Sequence, residues 1–441
     1  MTHSVTAGDN PPPTFPHSQV PQHRPAPQPD PASPAPQVQD AGPVRVRAGS
    51  PGALLAVVPH LLGFMPKASL VVIGTAPPRD RVKITLRYDL PDPPGAGVAA
   101  DLAAHAVGVI STQRLTAMVA VGYGPTTLVD PVASALRAAA WQAGIATRDF
   151  LRVEDGRYWS YQCGNEACCP AEGTPFDPGA HSAAAAMAHA GTEVLADRAA
   201  VAARVAPLHG PAAESMLQAT RRAERHVSRL LAKVRKSARL GAARQMIAAE
   251  GLNTVGSMIA TYRAGGRFTA DYQIARMTVA LRELRVRDDA WARMDPAYLD
   301  AHRRLWMDVT RRAQPGYVAA PAALLAFVAW QSGDGALANV ALDRALADDP
   351  RYSMALLLRQ VISAGTPPSM ARLPMTPEEV AASYDDAEGY DADYDDPRDD
   401  DASYDNLEDH CLRDEDAARG DAGDDHDPDV DTGPSDLDER P

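Results

Sequence analysis

The sequence is poor in aromatic residues, in cysteine and in long apolar runs. Only 5% of its 441 residues are Phe, Trp or Tyr and four are Cys, although 45% are hydrophobic and Ala is abundant. A core built on large rings is therefore excluded, and we expect mostly helical cores of small aliphatic side chains. At this length the chain has room for two or more domains.

Segments for export or membrane insertion are also missing from the sequence. The first 43 residues lack the apolar stretch of a signal peptide. The longest apolar candidate, residues 319–330, is too short to span a bilayer. We therefore expect a cytoplasmic protein with no membrane association. In that compartment cysteines are expected to be reduced thiols, metal ligands or redox switches rather than structural disulfides.

Charge is divided unevenly along the chain. Residues 376–441 hold 27 acidic residues against four arginines, whereas the rest of the chain holds 39 basic and 30 acidic residues. This acidic end repeats a Tyr-Asp pair at ten-residue spacing, with the tyrosines at 384, 394 and 404. It cannot bury enough apolar surface to offset its conformational entropy, so we predict a disordered tail. Two roles stay open: the tail solubilises the protein, or it folds back over the basic body or binds a basic partner.

Composition and pattern divide the chain into four regions. Residues 1–44 are rich in proline and are predicted to be a disordered arm, either a spacer or a docking site for a proline-reading partner. We assign residues 45–175 to an α/β domain that ends in a cysteine-rich loop. Residues 176–368 are assigned to an all-α domain, and residues 369–441 to the disordered acidic tail.

Strand and helix patterns alternate in the first domain. Ser50 and Pro51 are typical of a helix N-cap and first turn. Asp155-Gly156 between two strand patterns is typical of a type I′ hairpin turn. The alternation predicts a mixed sheet with flanking helices. The predicted strands include residues 69–73, 82–90 and 115–123, and the predicted helices are residues 97–113 and 130–143.

A candidate ligand site lies at the predicted ends of these strands, where open α/β sheets bind ligands. Arg87 and Asp89 end one strand and Tyr123 ends another, while Trp159 and Tyr161 lead into the cysteine-rich loop. We therefore predict that these five side chains form one ligand site. The Gly-Tyr-Gly sequence around Tyr123 lacks the third glycine of a phosphate-binding turn, so no nucleotide is expected.

The segment from Cys163 to Glu172, called the Cys loop below, is the richest in chemistry. Zinc prefers four sulfur or nitrogen ligands, commonly delivered as spaced pairs. Cys163 and one of the adjacent cysteines Cys168 and Cys169, together with His181 or a loop glutamate, make a candidate zinc site. Adjacent side chains of an extended segment point to opposite sides, so Cys168 and Cys169 are not expected to share an ion. Three interpretations stay open: packed structural thiols, a zinc site, and a redox-active or nucleophilic thiol.

Long stretches of the chain resemble an uncharacterised family of high-GC actinobacteria that is known only as a domain of unknown function. The resemblance extends over about residues 46–368 and implies one family architecture, but it brings no activity, cofactor or site residue with it. The segments that carry it are Leu54–Pro66, Ser69–Val72, Arg87–Pro91, Trp159–Gly173 and Gly333–Pro350.

From His181 onward the pattern is helical. We predict an Ala-rich helix over residues 181–205 and one long helix over residues 211–247, whose part from 216 to 247 is strongly basic. Near the end of the domain, a helical hairpin is expected to pack Leu324, Leu325 and Phe327 against its second arm, including Met354, Leu356 and Leu357. The all-α domain is the predicted surface for a protein partner.

These patterns favour a ligand- or partner-binding protein with a regulatory role, whose activity is unknown. The first alternative is an enzyme with a thiol or metal site in the Cys loop. The second is nucleic-acid association through the basic helix, which lacks an aromatic stacking platform and a recognised DNA-binding motif. We therefore do not expect nucleic acid to be the partner.

Overall fold

The computed structural model describes residues 46–391 except residues 93–94, 96, 236–239 and 371–374. Side chains are described throughout these ranges except at residues 233–235, 240–244 and 386–391. The predicted proline-rich arm, most of the predicted acidic tail and the fourth cysteine, Cys411, lie outside the described residues.

A six-stranded mixed sheet forms the first part of the fold, as predicted. Its strands lie in the order β2-β1-β3-β4-β5-β6. Strand β1 is antiparallel to both β2 and β3, β3 is parallel to β4, and β5 and β6 continue antiparallel at the edge. The bounds are β1 Ser69–Ala76, β2 Arg81–Asp89, β3 Ala117–Tyr123, β4 Ala146–Glu154, β5 Arg157–Ser160 and β6 Thr174–Pro175.

Helices cover both faces of this sheet. Because side chains alternate along a strand, Leu70 and Val72 of β1 face one way and Val71 and Ile73 the other. The first face packs against α2 and α3, and the second packs against α1. All but the last residue of β1 are buried, so this strand requires both layers. The bounds are α1 Pro51–Leu62, α2 Val98–Thr112 and α3 Thr126–Gln142.

Local sequence signals position several of these elements. The Ser50 hydroxyl accepts a hydrogen bond from the Ala53 backbone N–H at 3.2 Å, and Pro51 begins α1 as predicted. The β4–β5 hairpin turns at Asp155 and Gly156, both with positive φ, as its sequence predicted. Gly63 ends α1 in the left-handed conformation, where a glycine carries no steric cost.

The second part contains only helices in the described residues. Two predicted helices are each divided. The helix predicted over residues 181–205 is α4 and α5, and the helix predicted over residues 211–247 is α6 and the start of α7. The bounds are α4 Ser182–His189, α5 Arg198–Ala203, α6 Pro211–Arg235, α7 Leu240–Arg263, α8 Asp271–Ala280, α9 Leu284–Ala292, α10 Leu299–Arg312, α11 Ala319–Gln331, α12 Gly335–Asp348, α13 Ser353–Ser363 and α14 Pro377–Asp391.

The break between α4 and α5 has a non-local cause. Leu195 exchanges backbone hydrogen bonds with the turn after α1, donating to Gly63 O and accepting from Met65 N, both at 2.9 Å. Phe64 of the same turn is buried in the core of the helical part. The segment is therefore held as an extended bridge that joins the α/β part to the helices.

Helix α11 lies at the centre of the helical core, with every residue from Pro321 to Trp330 buried. Its N-terminus is capped by Asp348, the last residue of α12. The Asp348 carboxylate accepts hydrogen bonds from the backbone N–H groups of Gly316, Val318 and Ala319 at 2.7–3.0 Å. One carboxylate thus satisfies N–H groups that the helix cannot satisfy itself.

The last hairpin differs in part from its prediction. Met354 is buried against the core as expected, but Leu356 and Leu357 are 41% and 62% exposed. Leu358 takes the buried position instead, because a helix buries residues at intervals of three and four rather than a continuous run. After α13, Gly365 has a positive φ and lies directly against Val109 of α2 and Ile84 of β2.

Part of the segment that we assigned to the disordered tail is helical. Helix α14 begins with a reciprocal capping box, in which Thr376 N–H donates to the Glu379 carboxylate at 2.7 Å and Glu379 N–H donates to the Thr376 hydroxyl at 3.2 Å. Pro377 occupies the first helical position, which suits proline. None of the helices in the described ranges is both long and apolar enough to cross a membrane.

Alanine substitutions at two glycines test how closely the sheet packs against its helices. A Cβ at Gly122 of β3 would lie 2.3 Å from a methyl group of Val129 in α3, whereas a Cβ at Gly108 of α2 meets nothing within 4 Å. We expect Gly122→Ala to lower the free energy of unfolding by about 1–3 kcal/mol through overpacking. Gly108→Ala, the matched control, should raise it by about 0.5–1 kcal/mol through helix propensity. Urea denaturation measures both, and equal effects of one sign would contradict the packing.

Candidate functional site

The Cys loop follows shortly after the end of β5 and leads to the edge strand β6. The Ser160 hydroxyl donates to the Asp149 carboxylate at 2.8 Å and accepts from Cys163 N–H at 3.2 Å. The Gln162 side chain donates to Thr147 O at 3.1 Å. These bonds tie the start of the loop to the first residues of β4.

A turn at Asn165 then brings the cysteines back on themselves. The Asn165 carbonyl accepts from the backbone N–H groups of Cys168 and Cys169 at 3.1 and 2.8 Å. The Asn165 side-chain oxygen accepts from Ala167 N–H at 3.0 Å, which is an Asx turn. The segment is therefore not extended, and the expectation that Cys168 and Cys169 point apart is not met.

The three thiols of the loop converge. The Sγ atoms of Cys163 and Cys168 are 3.0 Å apart and those of Cys168 and Cys169 are 3.7 Å apart. All three Sγ atoms lie within 4.8 Å of one another. Cys168 is exposed, and Cys163 and Cys169 are half-buried. The loop therefore presents a cluster of three sulfur atoms to solvent.

The spacing of this cluster is compatible with a soft metal ion. A tetrahedral Zn²⁺ with bonds of about 2.3 Å places its sulfur ligands about 3.8 Å apart. The Cys168–Cys169 separation has this value, and the Cys163–Cys168 separation would have to open by about 0.8 Å. Among the described residues, only these three cysteines form a group of three or more metal-ligating side chains that lie close enough to share an ion.

The fourth predicted ligand, His181, lies elsewhere. Its Nδ1 accepts a hydrogen bond from Ala183 N–H at 3.2 Å and caps the N-terminus of α4. The ring also lies 3.9 Å from where a Cβ at Gly52 would be, on the α1 side of the sheet. The cluster thus offers three protein ligands, and His181 is not grouped with them.

Hydrogen bonds within the cluster make its thiols unequal. A bond from Cys168 lowers the pKa of Cys163, and the same bond raises the pKa of Cys168. A hydrogen bond to Cys163 raises the pKa of Cys169 to about 12. One negative charge on Cys163 therefore stabilises the protonated forms of its two neighbours, and a bound cation would favour ionisation of all three.

The predicted ligand residues Arg87, Asp89 and Tyr123 lie at one end of the sheet. Ser69 of β1 stands opposite both Asp89 and Tyr123, and its hydroxyl accepts two hydrogen bonds from Arg87, at 2.8 and 3.1 Å. Arg87 also pairs with Asp89. The Tyr123 hydroxyl is buried and has no hydrogen-bond partner among the described residues, and burial raises its pKa.

Trp159 and Tyr161 lie on the other side of β4 from Tyr123, in β5 and just after it. Because β5 runs antiparallel to β4, Tyr161 is carried away from the carboxyl end of β3, and its N–H donates to Phe150 O. Its hydroxyl donates to Asp130 of α3. The Trp159 indole donates to Ala171 O at 3.0 Å and stacks under the Arg152 guanidinium at 3.7 Å. Strand direction thus carries Tyr161 away from the end of the sheet that holds Tyr123, whereas Trp159 stands opposite Arg152, which pairs with Gly122 of β3.

A second candidate site, which the sequence analysis missed, is a cleft between the end of α1 and the helical part. Its cavity volume is about 280 Å³. The polar side chains that line it come from five separate segments, which explains why no single motif indicated it. They are His60, Thr192, Glu193, Arg204, Arg303, Ser332 and Asp334.

Hydrogen bonds define the chemistry of this cleft. The Thr192 hydroxyl donates to Met187 O at 2.6 Å, so it must accept from His60 Nδ1, 2.9 Å away. We therefore assign the His60 tautomer that leaves Nε2 as an acceptor. Arg204 pairs with Glu193, and Arg303 adds a second guanidinium. The N-terminus of α12, capped by Asp334, adds a partial positive charge.

A protein-family model covers the part of the chain that holds both candidate sites. The family model of a domain of unknown function, DUF4192, matches residues 51–369. The chain belongs to this family. The matched range of DUF4192 includes the whole sheet, the Cys loop and the cleft, and it ends before α14. Neither the curated proteins nor the solved structures contain a match to the chain.

The DUF4192 helices also bury a histidine that no sequence signal distinguished. His302 of α10 is 1% exposed, and neither of its ring nitrogens has a hydrogen-bond partner among the described residues. Burial first, and then the nearby Arg263, lower the pKa of His302 to about 4. At intervals of four residues on the same helix, Trp306 and Thr310 also bury polar atoms that have no partner in the described ranges.

This histidine should make the stability of the protein depend on pH. Its pKa is about 4 in the folded state and 6.5 in an ordinary environment, so the unfolded chain binds the extra proton between those values. The free energy of unfolding is therefore highest above pH 6.5, where His302 is neutral in both states. It falls by on the order of 2–3 kcal/mol as the pH drops toward 4, because only the unfolded chain gains the proton. We expect His302→Leu to flatten the pH dependence of the unfolding free energy. The exposed control His209→Leu should leave it unchanged, and identical profiles for wild type and His302→Leu would refute the assignment.

Proposed function

We propose that this DUF4192 protein is a metal-binding protein whose Cys loop holds a soft divalent ion, with zinc as the first candidate. The observation that carries the proposal is the convergence of three Sγ atoms within 4.8 Å at the protein surface. Thiolates are the preferred ligands of such ions. Thiolate ligands persist in a reducing compartment, so the proposal is consistent with the cytoplasmic location expected from the sequence.

The packed-thiol interpretation fits this arrangement less well. A cysteine that serves only as a small hydrophobic residue is normally buried. Here Cys168 is exposed and the other two are half-buried, and backbone hydrogen bonds to Asn165 rather than apolar contacts shape the turn. Three thiols that converge in solvent bury little apolar surface, so packing contributes little to the stability of this turn.

Three protein ligands would leave one coordination position open. Structural zinc sites usually have four protein ligands, whereas sites with three keep a position for water or an exchangeable ligand. The site would therefore suit reversible capture of an external ligand by the metal. A regulatory binding protein and an enzyme with a metal site in the Cys loop both need such an open coordination position. An activity assay distinguishes the two once the ligand is known.

The redox interpretation rests on the shortest contact. Joining the Cys163 and Cys168 Sγ atoms, now 3.0 Å apart, would require a further approach to about 2.05 Å. Oxidation by a peroxide would form that bond and reduce the peroxide to water or an alcohol. Metal binding and disulfide formation exclude each other at these two sulfurs, so one measurement distinguishes them.

We expect the full chain, purified under reducing conditions, to hold about one equivalent of zinc and to lose it on Cys163→Ser. The control Cys411→Ser removes a cysteine outside the loop and should retain the ion. Metal content by mass spectrometry and the thiolate-to-metal charge-transfer absorption of the Co²⁺ form measure this. A metal-free wild type whose thiols all titrate freely, or an equal loss in both variants, would contradict the proposal.

The cleft supports a second candidate function, the binding of a small organic acid. Its volume of about 280 Å³ is near the lower limit of small-molecule sites. Arg204, which pairs with Glu193, and Arg303, which pairs with the exposed Asp300, could exchange these partners for the carboxylate groups of a ligand, and an acceptor at His60 Nε2 suits a hydroxyl donor. A hydroxy acid combines both features.

L-malate is a suitable probe for this cleft, with the neutral amide malamide as its matched control. We expect millimolar L-malate to raise the melting temperature of the wild type and to have little effect on Arg303→Gln. Arg311→Gln lies on the same helix but outside the cleft and should respond as the wild type does. Equal stabilisation of both variants, or by malamide, would mean that the cleft does not bind the acid.

A protein partner on the all-α domain stays a proposal. The exposed Leu356 and Leu357 on α13 support it, since a partner that covered these two adjacent side chains would remove apolar surface from water. Nucleic-acid association through residues 216–247 has weaker support. Within that range Arg222 stacks on Tyr272 at 4.3 Å, and Arg229 donates to the carbonyl of Arg225 in its own helix.

A further inference from the structure

The Cys loop offers three sulfur ligands, which is the number that a three-coordinate centre requires. Within the described ranges, Cys163, Cys168 and Cys169 are grouped closely enough to share an ion, with no histidine or carboxylate in the group. The predicted fourth ligand, His181, instead caps α4 through its Nδ1 atom. A structural zinc ion usually has four protein ligands, so zinc in this loop needs one more. A centre that forms three bonds to sulfur is saturated by the loop alone.

Trivalent arsenic is such a centre. Its lone pair takes the place of a fourth ligand, so it forms three bonds, and its softness favours thiolate sulfur. The lone pair also narrows the angles between those bonds, which brings the sulfurs closer together than the about 3.8 Å of a tetrahedral zinc site. The Sγ atoms of Cys163 and Cys168, 3.0 Å apart, therefore have to separate less around arsenic than around zinc. Both the number of thiols and their spacing favour arsenic.

The charges around the cluster favour a neutral complex. No lysine or arginine occurs from Ser160 to Glu172, whereas Glu166 and Glu172 are acidic and the Asp149 carboxylate accepts from the Ser160 hydroxyl. Arg157 donates to backbone carbonyls at the end of the loop, at 2.8 and 3.3 Å. Three thiolates on a divalent ion leave one negative charge, which nearby carboxylates oppose. Three thiolates on trivalent arsenic leave none, so the complex needs no cation beside it.

The backbone holds the three thiols together before anything binds. The Asn165 carbonyl accepts from the N–H groups of Cys168 and Cys169 at 3.1 and 2.8 Å, and the Ser160 hydroxyl accepts from Cys163 N–H at 3.2 Å. Because both parts of the cluster are already positioned, little conformational entropy is lost when bonds to sulfur form. Cys168 is exposed, so a small uncharged molecule reaches the cluster directly from solvent.

We propose that the Cys loop captures arsenous acid, the hydrated form of trivalent arsenic, as a trithiolate of Cys163, Cys168 and Cys169. In each of three steps a thiol sulfur attacks arsenic, one As–S bond forms, one As–O bond breaks, and the hydroxide leaves with the thiol proton as water. One arsenous acid and three thiols thus give one trithiolate and three waters, with no change of oxidation state. The reaction uses the same sulfurs as the proposed metal site but does not require that zinc binds there.

Mass spectrometry of the full chain after addition of arsenite tests this proposal, with a phosphine as the reductant because dithiols bind arsenic themselves. The wild type should gain one arsenic atom and lose three hydrogen atoms, which indicates three As–S bonds. Cys169→Ser retains two loop thiols, so its adduct should keep one hydroxyl group on arsenic. Its affinity should be about a hundredfold lower, because the third bond of the wild type is intramolecular. The control Cys411→Ser keeps all three loop thiols and should match the wild type.

Phenylarsine oxide provides the matched ligand, because its arsenic can form only two bonds to thiols. It should bind the wild type and Cys169→Ser with similar affinity, which also shows that the variant loop keeps Cys163 and Cys168 together. Equal arsenite affinity of these two proteins, a wild-type adduct that keeps a hydroxyl group, or weakened binding by Cys411→Ser would overturn the proposal.

Zinc content of the same samples separates this proposal from the metal site. A chain that holds zinc in the loop but forms no arsenic trithiolate would overturn the arsenic proposal and leave the metal site standing. A chain that holds no zinc but forms the trithiolate would support capture of arsenic and contradict the zinc site.

Discussion

The burial of β1 on both faces is the constraint on which the rest of the fold depends. A central strand with apolar side chains on both sides needs a layer of helices above and below the sheet. Helices α2 and α3 supply one layer and α1 supplies the other, and α1 must end where its chain can turn toward the helical part. That turn places Phe64 in the helical core and His60 at the cleft. The cleft is therefore a consequence of how the second layer is attached.

The Cys loop covers the edge of β5, which would otherwise be exposed. Strand β6 pairs with two of the four residues of β5, so half of this edge would remain open without the loop that joins them. The loop returns along the edge, and Gly173 passes so close to the Trp159 ring that a Cβ would lie 2.5 Å from it. Its positive φ also requires a glycine there. The same closure that protects the edge fixes both ends of the thiol cluster.

Local patterns predicted the elements whose causes are local. The Ser50 cap, the Asp155-Gly156 turn and the buried run of β1 each follow from a few adjacent residues, and so did the mixed sheet. The break at Leu195 could not be predicted, because its hydrogen-bond partners, Gly63 and Met65, lie 130 residues away in sequence. The thiol convergence depends on the Asn165 turn, which an extended interpretation of the loop ignored. For α14 the signal was present at Thr376 to Glu379, but the acidic composition that follows outweighed it.

Gly365 closes the end of the helical part against the sheet. Its close packing against α2 and β2 returns the end of the helical part to the sheet, while the Phe64–Leu195 bridge ties the beginning of that part to the turn after α1. Helices attached at both ends cannot be exchanged between proteins as a separate module without breaking two interfaces. Recombination and duplication should therefore transmit sheet and helices as one piece, with new segments added outside the closure. Helix α14 begins just beyond that closure, outside the range that the family model matches.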